Sequence, residues 1–578
     1  MLLPVTLMMT GFLFPGDRLA LLTRGKERKH TLGIYDVRRK DTEAKLSLHL
    51  EPFPAEIEGE VISAAFSSDG IYLALGRNDN CTHVYDSRQL TRLLFDYKHT
   101  GPSRTNPGNE SYGVVKVQWV DKSVANQFGL ITGGNDEVLL SSLDPRKSLV
   151  SQLSPGGFSL PNAPIWQDSS TTQECRDLEQ AIGGAQELAD ITGSRAYERF
   201  TGNQIAKIRR LQPDVYTSTS RISLVSSFIP SIFCGRIVPV DISDASGMNI
   251  MDVVTCKWND ALLEACGGSE LRLKLGPEPQ IGGISLGTVS NWWVERYGLD
   301  PDCIVAPFTG DNPASVVALS APGDAVLSLG TSTTFLLSIP GGDTPPKRLT
   351  TSHLLSHPTD FDGKIAMLCY KNGALAREQV RDRYADRSWD RFNELVEASP
   401  LGNNENFGLY FPLPEIIPPG VVGQYAFHAQ KDITPTMVDD LPVSAHPRAI
   451  LESQFLSIRS RIAEILPHNS PPLQRLVVTG GSSANQTIRQ IAADIFGMKV
   501  YVSSTKEAAG MGGALLAKYS WWKTLRGGKG SLEEMTGGDA TQLGLQCVAE
   551  PRKEVTAVYG ELVDVYRACE EQVISQTV

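Results

Sequence analysis

The stretch that decides the fold class is residues 475–502, RLVVTGGSSANQTIRQIAADIFGMKVYV. It reads as a buried strand over 475–479, a helix over 486–495 and a second strand over 499–502, with another helix from Glu507. Two strands joined by a crossover helix form a parallel unit, which predicts an α/β domain. Gly480 and Gly481 follow the first strand, at the edge where open α/β sheets bind ligands.

The same alternation of helical and strand patterns extends upstream to about residue 139. Thr171 and Glu174 have the spacing of a capping box, and the helix that they predict ends at Gly183 and Gly184. A later helix with one apolar face is predicted by residues that recur every three or four positions: Leu451, Phe455, Ile458, Ile462 and Ile465. Packing in a core explains these five residues sufficiently.

Residues before about 139 follow a repeating pattern instead. Phe14-Pro15-Gly16-Asp17 precedes a strand-like run and the pair Tyr35-Asp36, and Ser68-Asp69-Gly70 precedes a similar run and the pair Tyr85-Asp86. Short strands, a turn at a fixed offset and an aromatic–Asp pair resemble the WD repeat, with one four-stranded propeller blade per copy. About three copies are too few to close a propeller. The segment therefore predicts an incomplete all-β scaffold, and the usual role of such blades is to bind protein partners.

The net charge and the distribution of the cysteines argue against several classes of function. The formal net charge of −11 leaves no basic surplus to neutralise phosphates, so neither nucleic acid nor an anionic membrane is expected as a partner. Nine cysteines without a CxxC pair predict reduced thiols and no zinc site. Residues 1–14 are apolar without preceding basic residues and read as a first strand, and the apolar run 224–233 is too short to span a bilayer. A cytoplasmic location is expected.

Asp311 is the first candidate catalytic residue. It lies in Phe308-Thr309-Gly310-Asp311-Asn312-Pro313, after the apolar residues 304–306, which read as a strand. A carboxylate on a turn at a strand end can point into a cleft and accept a hydroxyl proton. Gly-Asp-Asn is also a common turn sequence, so the tripeptide alone is weak support for catalysis.

Three further segments combine glycine with polar residues. Residues 326–335 read as a hairpin whose Gly330-Thr331-Ser332 turn offers amides and hydroxyls to a polyphosphate, although a plain hairpin is the commoner explanation. The turn 480–485 lets a nucleotide approach the backbone, or else Ser482 or Ser483 caps a helix there. Residues 192–204 hold two arginines among glycines, which suits polyol or phosphate contacts or an exposed charged loop.

Together and in this order, the four segments resemble the FGGY family of carbohydrate kinases, and within it the D-xylulose kinases. The resemblance extends over long runs, among them LPNAPIWQDSSTTQEC at 160–175 and GSRAYERFTGNQIAK at 193–207. It implies a two-domain actin-like ATPase fold, related to ribonuclease H, with Mg²⁺-ATP and D-xylulose as substrates. The implied reaction transfers the γ-phosphoryl group to O5 of the sugar.

The resemblance also implies roles for individual residues. Asp311 would be the general base, and the sugar would be bound by Arg199, Asp311, Asn312 and Asp168. The residues that match the ATP site are Gly330, Thr331, Ser332, Trp389, Gly480, Gly481 and Asn485. It points to no residue as a metal ligand.

The match is incomplete at the N-terminal side. Family members begin with a strand–phosphate loop–strand unit of Asp-x-Gly-Thr type and carry a Gln-Gln-His segment that contacts the sugar, and neither pattern is present here. The expected domains are a WD-repeat-like β fragment over 1–138, a kinase N-terminal domain lacking its first strands over 139–321, and an ATP-binding domain over 322–578. The alternatives are another sugar or polyol kinase of the family, and an inactive kinase-like domain on a WD-repeat scaffold.

Overall fold

The computed structural model describes residues 168–577, apart from 468–469, 471, 505–506 and 538–542, together with the strands between 10 and 140 and residues 67, 71, 149, 153, 157–160 and 162–165. The chain divides into two compact units. The first comprises residues 1–137 and 160–168, and the second comprises residues 138–159 and 169–578.

The first unit contains two four-stranded antiparallel meanders, in the orders β1-β2-β3-β4 and β5-β6-β7-β8, and a pair of strands, β9 and β10. Their bounds are β1 Thr10–Leu13, β2 Arg18–Arg24, β3 His30–Asp36, β4 Leu46–His49, β5 Val61–Phe66, β6 Tyr72–Arg77, β7 Cys81–Asp86, β8 Leu93–Lys98, β9 Lys116–Val120 and β10 Gly129–Gly133. Ala74, Val84 and Val117 form a small buried cluster. A four-stranded meander is the topology of a propeller blade, while assignment to the WD repeat stays a prediction.

The second unit is built around a seven-stranded mixed sheet in the order β17-β18-β16-β15-β22-β23-β24. The strands of this unit are β11 Val138–Leu140, β12 Arg221–Ser223, β13 Met251–Asp252, β14 Lys257–Trp258, β15 Ala325–Leu329, β16 Thr333–Ile339, β17 His353–Ser356, β18 Lys364–Tyr370, β19 Asn406–Phe411, β20 Gly423–His428, β21 Thr436–Val438, β22 Arg475–Thr479, β23 Lys499–Ser503 and β24 Leu545–Ala549. Strands β19, β20 and β21 form a separate antiparallel sheet.

Helices surround these sheets. Their bounds are α1 Thr172–Ile182, α2 Ala185–Thr192, α3 Thr201–Leu211, α4 Pro213–Ser218, α5 Val225–Cys234, α6 Ile242–Ala245, α7 Asp260–Gly267, α8 Leu271–Leu275, α9 Asn291–Tyr297, α10 Asp311–Leu319, α11 Ala374–Tyr384, α12 Trp389–Ala398, α13 His446–Ile465, α14 Gln486–Phe496, α15 Ala508–Leu525, α16 Leu532–Thr536 and α17 Lys553–Thr577. The helices of the described residues include none that is long and apolar enough to cross a membrane.

The large sheet positions the candidate nucleotide site. Strand β15 pairs in parallel with β22 and antiparallel with β16, and β22 pairs in parallel with β23. Leu327, Leu476 and Val477 are fully buried, as expected for strands covered on both faces. Because β15 and β22 run in the same direction, the turns that follow them lie at the same edge of the sheet.

Several elements match the sequence-based expectation. The strand–helix–strand unit over 475–502 is present as β22, α14 and β23, and the apolar helix face belongs to α13. The hairpin expected over 326–335 is present as β15 and β16. All nine cysteines are free thiols.

Three expectations were wrong in detail. Helix α1 lacks a side-chain cap, because the Thr171 hydroxyl donates to the Glu198 carbonyl at 2.6 Å. Neither Ser482 nor Ser483 caps α14; the Asn485 side chain accepts from the Ile488 amide instead. Residues 304–306 do not form a strand, because Ile304 makes a single bridge to Thr288.

Candidate active site

Asp311 is the first residue of helix α10, which follows Gly310 directly. The expectation of a turn at a strand end is therefore corrected to a helix N-terminus, where the helix dipole favours a carboxylate. The Asp311 side chain is exposed, and its Oδ1 accepts from the Asn312 amide at 2.7 Å. Ser315 donates its hydroxyl to the Asp311 carbonyl at 2.8 Å and so reinforces the first turn. The carboxylate is available to a substrate on the solvent side.

Asp241, a residue that no catalytic sequence motif marks, fixes the loop before Asp311. Its buried Oδ1 accepts from the amides of Ser243 at 3.0 Å and Asp244 at 3.1 Å, which caps α6. The same oxygen accepts from the Thr309 hydroxyl at 2.6 Å. Burial raises the pKa of Asp241 to about 7, although these hydrogen bonds lower it in part. The capping pattern is readable from the sequence, whereas the contact with Thr309 joins residues 68 positions apart.

Asp244 is a second carboxylate beside the same loop. It is half-buried and accepts a hydrogen bond from the Ser226 hydroxyl. A Cβ atom placed on Gly310 would lie 2.9 Å from Asp244 Oδ1, so the loop passes directly over this carboxylate. Burial raises the pKa of Asp244, and the negative charge of Asp311 raises it further. Asp244 therefore lies close enough to Asp311 to feel its negative charge.

Arg199, expected to bind sugar, packs against a buried histidine. Its Nη2 atom lies 3.3 Å from His353 Nε2, and its guanidinium carbon lies 5.5 Å from the centre of the Tyr197 ring. His353 Nδ1 lies 3.1 Å from the Ser194 hydroxyl oxygen. Burial, and then the Arg199 charge, lower the pKa of His353 well below its ordinary value. A neutral His353 can accept a hydrogen bond from Arg199 and hold its side chain in place.

Asp168 and Asn312 complete the expected sugar-binding set. Asp168 belongs to the first unit, is half-buried and donates its amide to the Ile165 carbonyl at 2.9 Å. The neighbouring Trp166 and Gln167 lie outside the described residues. Asn312 is half-buried directly beside Asp311. Asn312 thus lies beside Asp311 because the two residues are adjacent in the chain. Arg199 contacts His353 because the segments that carry them pack together.

The two glycine turns of the expected ATP site touch each other. Gly330, Thr331 and Ser332 join β15 to β16, and Gly480 follows the adjacent strand β22. Gly480 has a φ of +84°, and a Cβ atom there would lie 2.8 Å from the Leu329 carbonyl carbon. Both the backbone angle and the close approach therefore require glycine.

The start of helix α11 supports the Gly330 turn, and the sequence analysis did not identify it. The Gly373 amide donates to the Thr331 carbonyl at 3.0 Å, and the Ala374 amide donates to the Gly330 carbonyl at 2.9 Å. The Asn372-Gly373 dipeptide, a turn signal before a helical pattern, was the available sequence clue. These bonds fix the turn at the N-terminal end of α11.

Asn485 connects the second turn to the helix that bears Trp389. Its side chain caps α14 and donates from Nδ2 to Asn393 Oδ1 at 2.8 Å. Trp389 lies four residues before Asn393 on α12, and hence on the same helix face. The Arg381 guanidinium stacks 4.8 Å from the centre of the Trp389 ring.

A divalent cation that accompanies ATP would find suitable donors near Asp311. Mg²⁺ is a hard cation that takes one or two carboxylates together with phosphate oxygens and water. The half-buried Asp244 fits this chemistry, whereas Oδ1 of Asp241 already accepts three hydrogen bonds. Of the carboxylates described beside this loop, Asp244 is thus the one that could bind the cation, while the exposed Asp311 stays open to a substrate.

In the first unit, Cys81, His83 and Asp96 place three possible metal-binding atoms within 4.8 Å of one another. His83 Nε2 lies 3.5 Å from Asp96 Oδ1, which is an ion pair when the ring is protonated. The Arg77 guanidinium lies 3.4 Å from His83 Nδ1 and adds a positive charge to the cluster. Because this charge opposes a cation, we interpret the cluster as a polar network between strands.

Comparison with known proteins identifies the family. Residues 157–318 match the N-terminal domain of the FGGY family of carbohydrate kinases, and residues 325–521 match its C-terminal domain. These spans include Asp311 and both glycine turns. The chain belongs to the FGGY family of carbohydrate kinases, and it is an ATP-dependent sugar kinase by family.

Among its relatives, the chain is 41% identical over 444 residues to the xylulose kinase of Rattus norvegicus, over 76% of this chain and 78% of that protein. It is 41% identical over 438 residues to the xylulose kinase of Mus musculus, over 75% of this chain and 76% of that protein.

Solved structures show the same two-domain actin-like fold. A ligand-bound xylulose kinase from Lactobacillus acidophilus aligns with a TM-score of 0.60 at 14% identity, over 89% of this chain and 98% of that one. Glycerol kinase from Plasmodium falciparum with ADP aligns with a TM-score of 0.58 at 15% identity, over 84% and 96% of the two chains. At such identities the likeness concerns the fold alone.

Proposed function

We propose that this chain transfers the γ-phosphoryl group of Mg²⁺-ATP to O5 of D-xylulose, giving D-xylulose 5-phosphate. The observation that carries the proposal is the exposed Asp311 carboxylate at the start of α10, within a chain 41% identical to mammalian xylulose kinases. D-Xylulose enters the proposal through the names of these relatives.

Asp311 would act as the general base. Its free oxygen accepts the proton of the sugar O5 hydroxyl as that oxygen attacks the γ-phosphorus and ADP leaves. Oδ1 is fixed by the Asn312 amide, so the second oxygen is the one that faces substrate. Mg²⁺ supplies charge neutralisation on the phosphates when bound. The rate of phosphoryl transfer depends mainly on how the acceptor hydroxyl is positioned. The Asp241–Thr309 contact contributes to this positioning because it fixes the loop before Asp311.

The remaining expected residues take binding roles in this proposal. Arg199 and Asn312 bind the sugar hydroxyls, with Arg199 oriented by His353. For Asp168 the sugar-binding role rests on the family resemblance alone. The amides of Gly330, Thr331 and Ser332 bind the phosphates, while Gly480, Gly481, Asn485 and Trp389 contact the adenosine. The boundaries at 138/139 and 321/322, a cytoplasmic location and a protein partner for the WD-repeat-like segment belong to the same proposal.

A substrate panel tests the proposal. Purified full-length protein is given Mg²⁺-ATP with D-xylulose, D-ribulose, L-xylulose, glycerol or gluconate, and ADP release is measured. We expect turnover with D-xylulose above all other acceptors. Preference for another acceptor would indicate a different sugar or polyol kinase. A folded protein that binds ATP and turns over none of them would contradict the proposal and favour an inactive kinase-like scaffold.

A further inference from the structure

Arg377 is a cation enclosed in the second unit. It lies on α11, four residues after Gly373, and its side chain has no exposed surface. Among the residues that the structure describes, no carboxylate forms an ion pair with it: its guanidinium donates to Gln454 and Ser482, and the next residue, Glu378, is exposed. Its Nε atom is buried without a hydrogen-bond partner. A buried charge without a counter-ion is costly, so its retention needs an explanation.

The hydrogen bonds of Arg377 reach both glycine turns. Its Nη2 donates to the Ser482 hydroxyl at 3.3 Å, within the turn that follows β22. Its Nη1 donates to Gln454 Oε1 at 2.6 Å. The Gln454 amide then donates to the carbonyls of Asn372 at 2.8 Å and Gly373 at 3.2 Å.

The hydrogen bonds that run through Gln454 continue to the Gly330 turn. The Gly373 amide donates to the Thr331 carbonyl, and the Ala374 amide donates to the Gly330 carbonyl. Arg377 is therefore connected to one turn through Ser482, and to the other through Gln454 and the start of α11. The two turns come from strands about 150 residues apart in the chain, and they approach each other at Gly480.

We propose that Arg377 is a positioning residue for the nucleotide: its hydrogen bonds to Ser482 and Gln454 connect the two turns, and the polyphosphate of ATP supplies the negative charge that its site lacks. The inference rests on the proposed placement of ATP at these turns. Burial lowers the pKa of the Arg377 guanidinium to about 10, and the Glu378 charge partly offsets this, so the group stays charged at neutral pH. In a poorly solvated site this charge acts on phosphates over a longer range than a surface charge does.

Two ligands separate this role from simple structural support. Adenosine has the base and ribose of ATP but no phosphates. Loss of support for the turns should therefore weaken the binding of both ligands, whereas loss of charge compensation should weaken the binding of ATP selectively. The substitution Arg377→Gln removes the charge and keeps a polar side chain with an amide donor. Arg459→Gln is the matched control, because Arg459 is a mostly buried arginine that donates to the carbonyls of Ile495 and Thr556. Burial lowers the pKa of Arg459 as well.

The experiment is isothermal titration of full-length protein with Mg²⁺-ATP and with adenosine. We expect Arg377→Gln to lower the affinity for ATP by about tenfold or more and that for adenosine by less than about threefold. Arg459→Gln should leave the ratio of the two affinities within about threefold of the wild-type ratio. Equal losses for both ligands would leave Arg377 with structural support alone and overturn charge compensation by ATP. No loss for either ligand, or a wild-type protein that binds no ATP, would overturn the whole inference.

A second variant covers the case in which Arg377→Gln does not fold. Arg377→Lys keeps the charge, so its ATP-to-adenosine affinity ratio should stay within about threefold of the wild-type ratio. A folded lysine variant whose ratio collapses would contradict charge compensation. Sugar turnover is not measured in this titration. A chain that binds ATP without phosphorylating D-xylulose would therefore contradict the proposed function and still test Arg377.

Discussion

At the scale of single residues, the account depends on one exposed carboxylate and the groups that position it. Asp311 could be selected from the sequence because three other family segments accompany it in order. Asp241 and Asp244 could not, since their relation to Asp311 arises from contacts with Thr309 and Gly310 across more than 60 residues. A helix N-terminus replaced the expected strand end because residues 311–319 contain the helix start Asp-Asn-Pro, and Pro is favoured in a first turn.

The most direct prediction for a single residue concerns Asp311 as the general base. Asp311→Asn keeps the size of the side chain and an acceptor for the Asn312 amide, but it removes the basic oxygen. We expect kcat with D-xylulose to fall by about 10² to 10⁴, with KM for ATP nearly unchanged. Steady-state ADP release measures both constants. Asp302→Asn, at an exposed position nine residues earlier, is the control and should leave them unchanged; a kcat near the wild-type value in Asp311→Asn would rule out its role as base.

At the scale of elements, the strand–helix–strand unit and the hairpin of the nucleotide site were readable from periodicity and glycine placement. The hydrogen bonds that support the two glycine turns could not be predicted in this way, because Arg377 and Ser482 are 105 residues apart and Gln454 lies on a third element. Local pattern specifies a strand or a helix, whereas such contacts depend on how the elements pack.

The contact between α10 and α15 gives an element-scale prediction. A Cβ atom on Gly512 would lie 1.8 Å from the Ala314 carbonyl oxygen, so Gly512→Ala must displace the helix that begins with Asp311. We expect a loss of about 1–3 kcal/mol in the free energy of unfolding. The kcat should fall by about tenfold or more, since small misplacements of reacting groups are costly. Denaturant titration and ADP release measure the two effects.

Gly513 supplies the control for this prediction. A Cβ atom there would meet no atom within 4 Å, so Gly513→Ala should retain kcat and gain up to about 1 kcal/mol from helix propensity. If Gly512→Ala and Gly513→Ala behave alike, α15 does not fix the position of α10.

The Gly480 turn gives a second prediction at this scale. Gly480→Ala combines an unfavourable φ of +84° with a clash against the backbone of Leu329 and Gly330. Because this forces the two turns apart, we expect KM for ATP to rise by about tenfold or more, with a smaller change in KM for D-xylulose. Gly342→Ala, which lies outside the proposed ATP site and whose Cβ would meet no atom within 4 Å, should change neither constant greatly. Equal KM values for ATP in both variants would show that the turn does not bind the nucleotide.

At the scale of the whole molecule, composition and motifs were sufficient to predict an α/β kinase and a repeated β segment. They were insufficient to fix the pairing of the strands between residues 10 and 133, which the structure arranges as two four-stranded meanders and a strand pair. Short alternating strands determine pairing only weakly without a buried face or a fixed turn. The identity of the WD-repeat-like segment consequently stays a prediction.

Stability against pH is a property of the whole chain. Burial lowers the pKa of His357 to about 4, below its ordinary value near 6.5. The unfolded chain therefore takes up a proton first as pH falls, and the stability contributed by neutral His357 is lost between pH 6.5 and pH 4. At pH 5 this loss is about 2 kcal/mol. The raised pKa of Asp241 acts in the opposite direction, since a protonated carboxyl is favoured in the folded state.

Denaturant titrations at pH 7.5 and pH 5 test this point, with His357→Gln as the variant. Wild type and variant share Asp241, so its contribution cancels in the comparison. The variant should lose about 2 kcal/mol less than the wild type between the two pH values. Identical losses would mean that His357 does not titrate as its burial implies.

The central claim is transfer of a phosphoryl group to O5 of D-xylulose by this chain, and phosphorus NMR of the reaction products tests it most directly. Full-length protein is incubated with Mg²⁺-ATP and D-xylulose, and the spectrum is recorded as ADP accumulates. The account predicts a new phosphomonoester signal, equal in amount to ADP and coupled to the two C5 protons, which is absent with Asp311→Asn. ADP accompanied only by inorganic phosphate, or a phosphomonoester coupled to protons on another carbon, would contradict it.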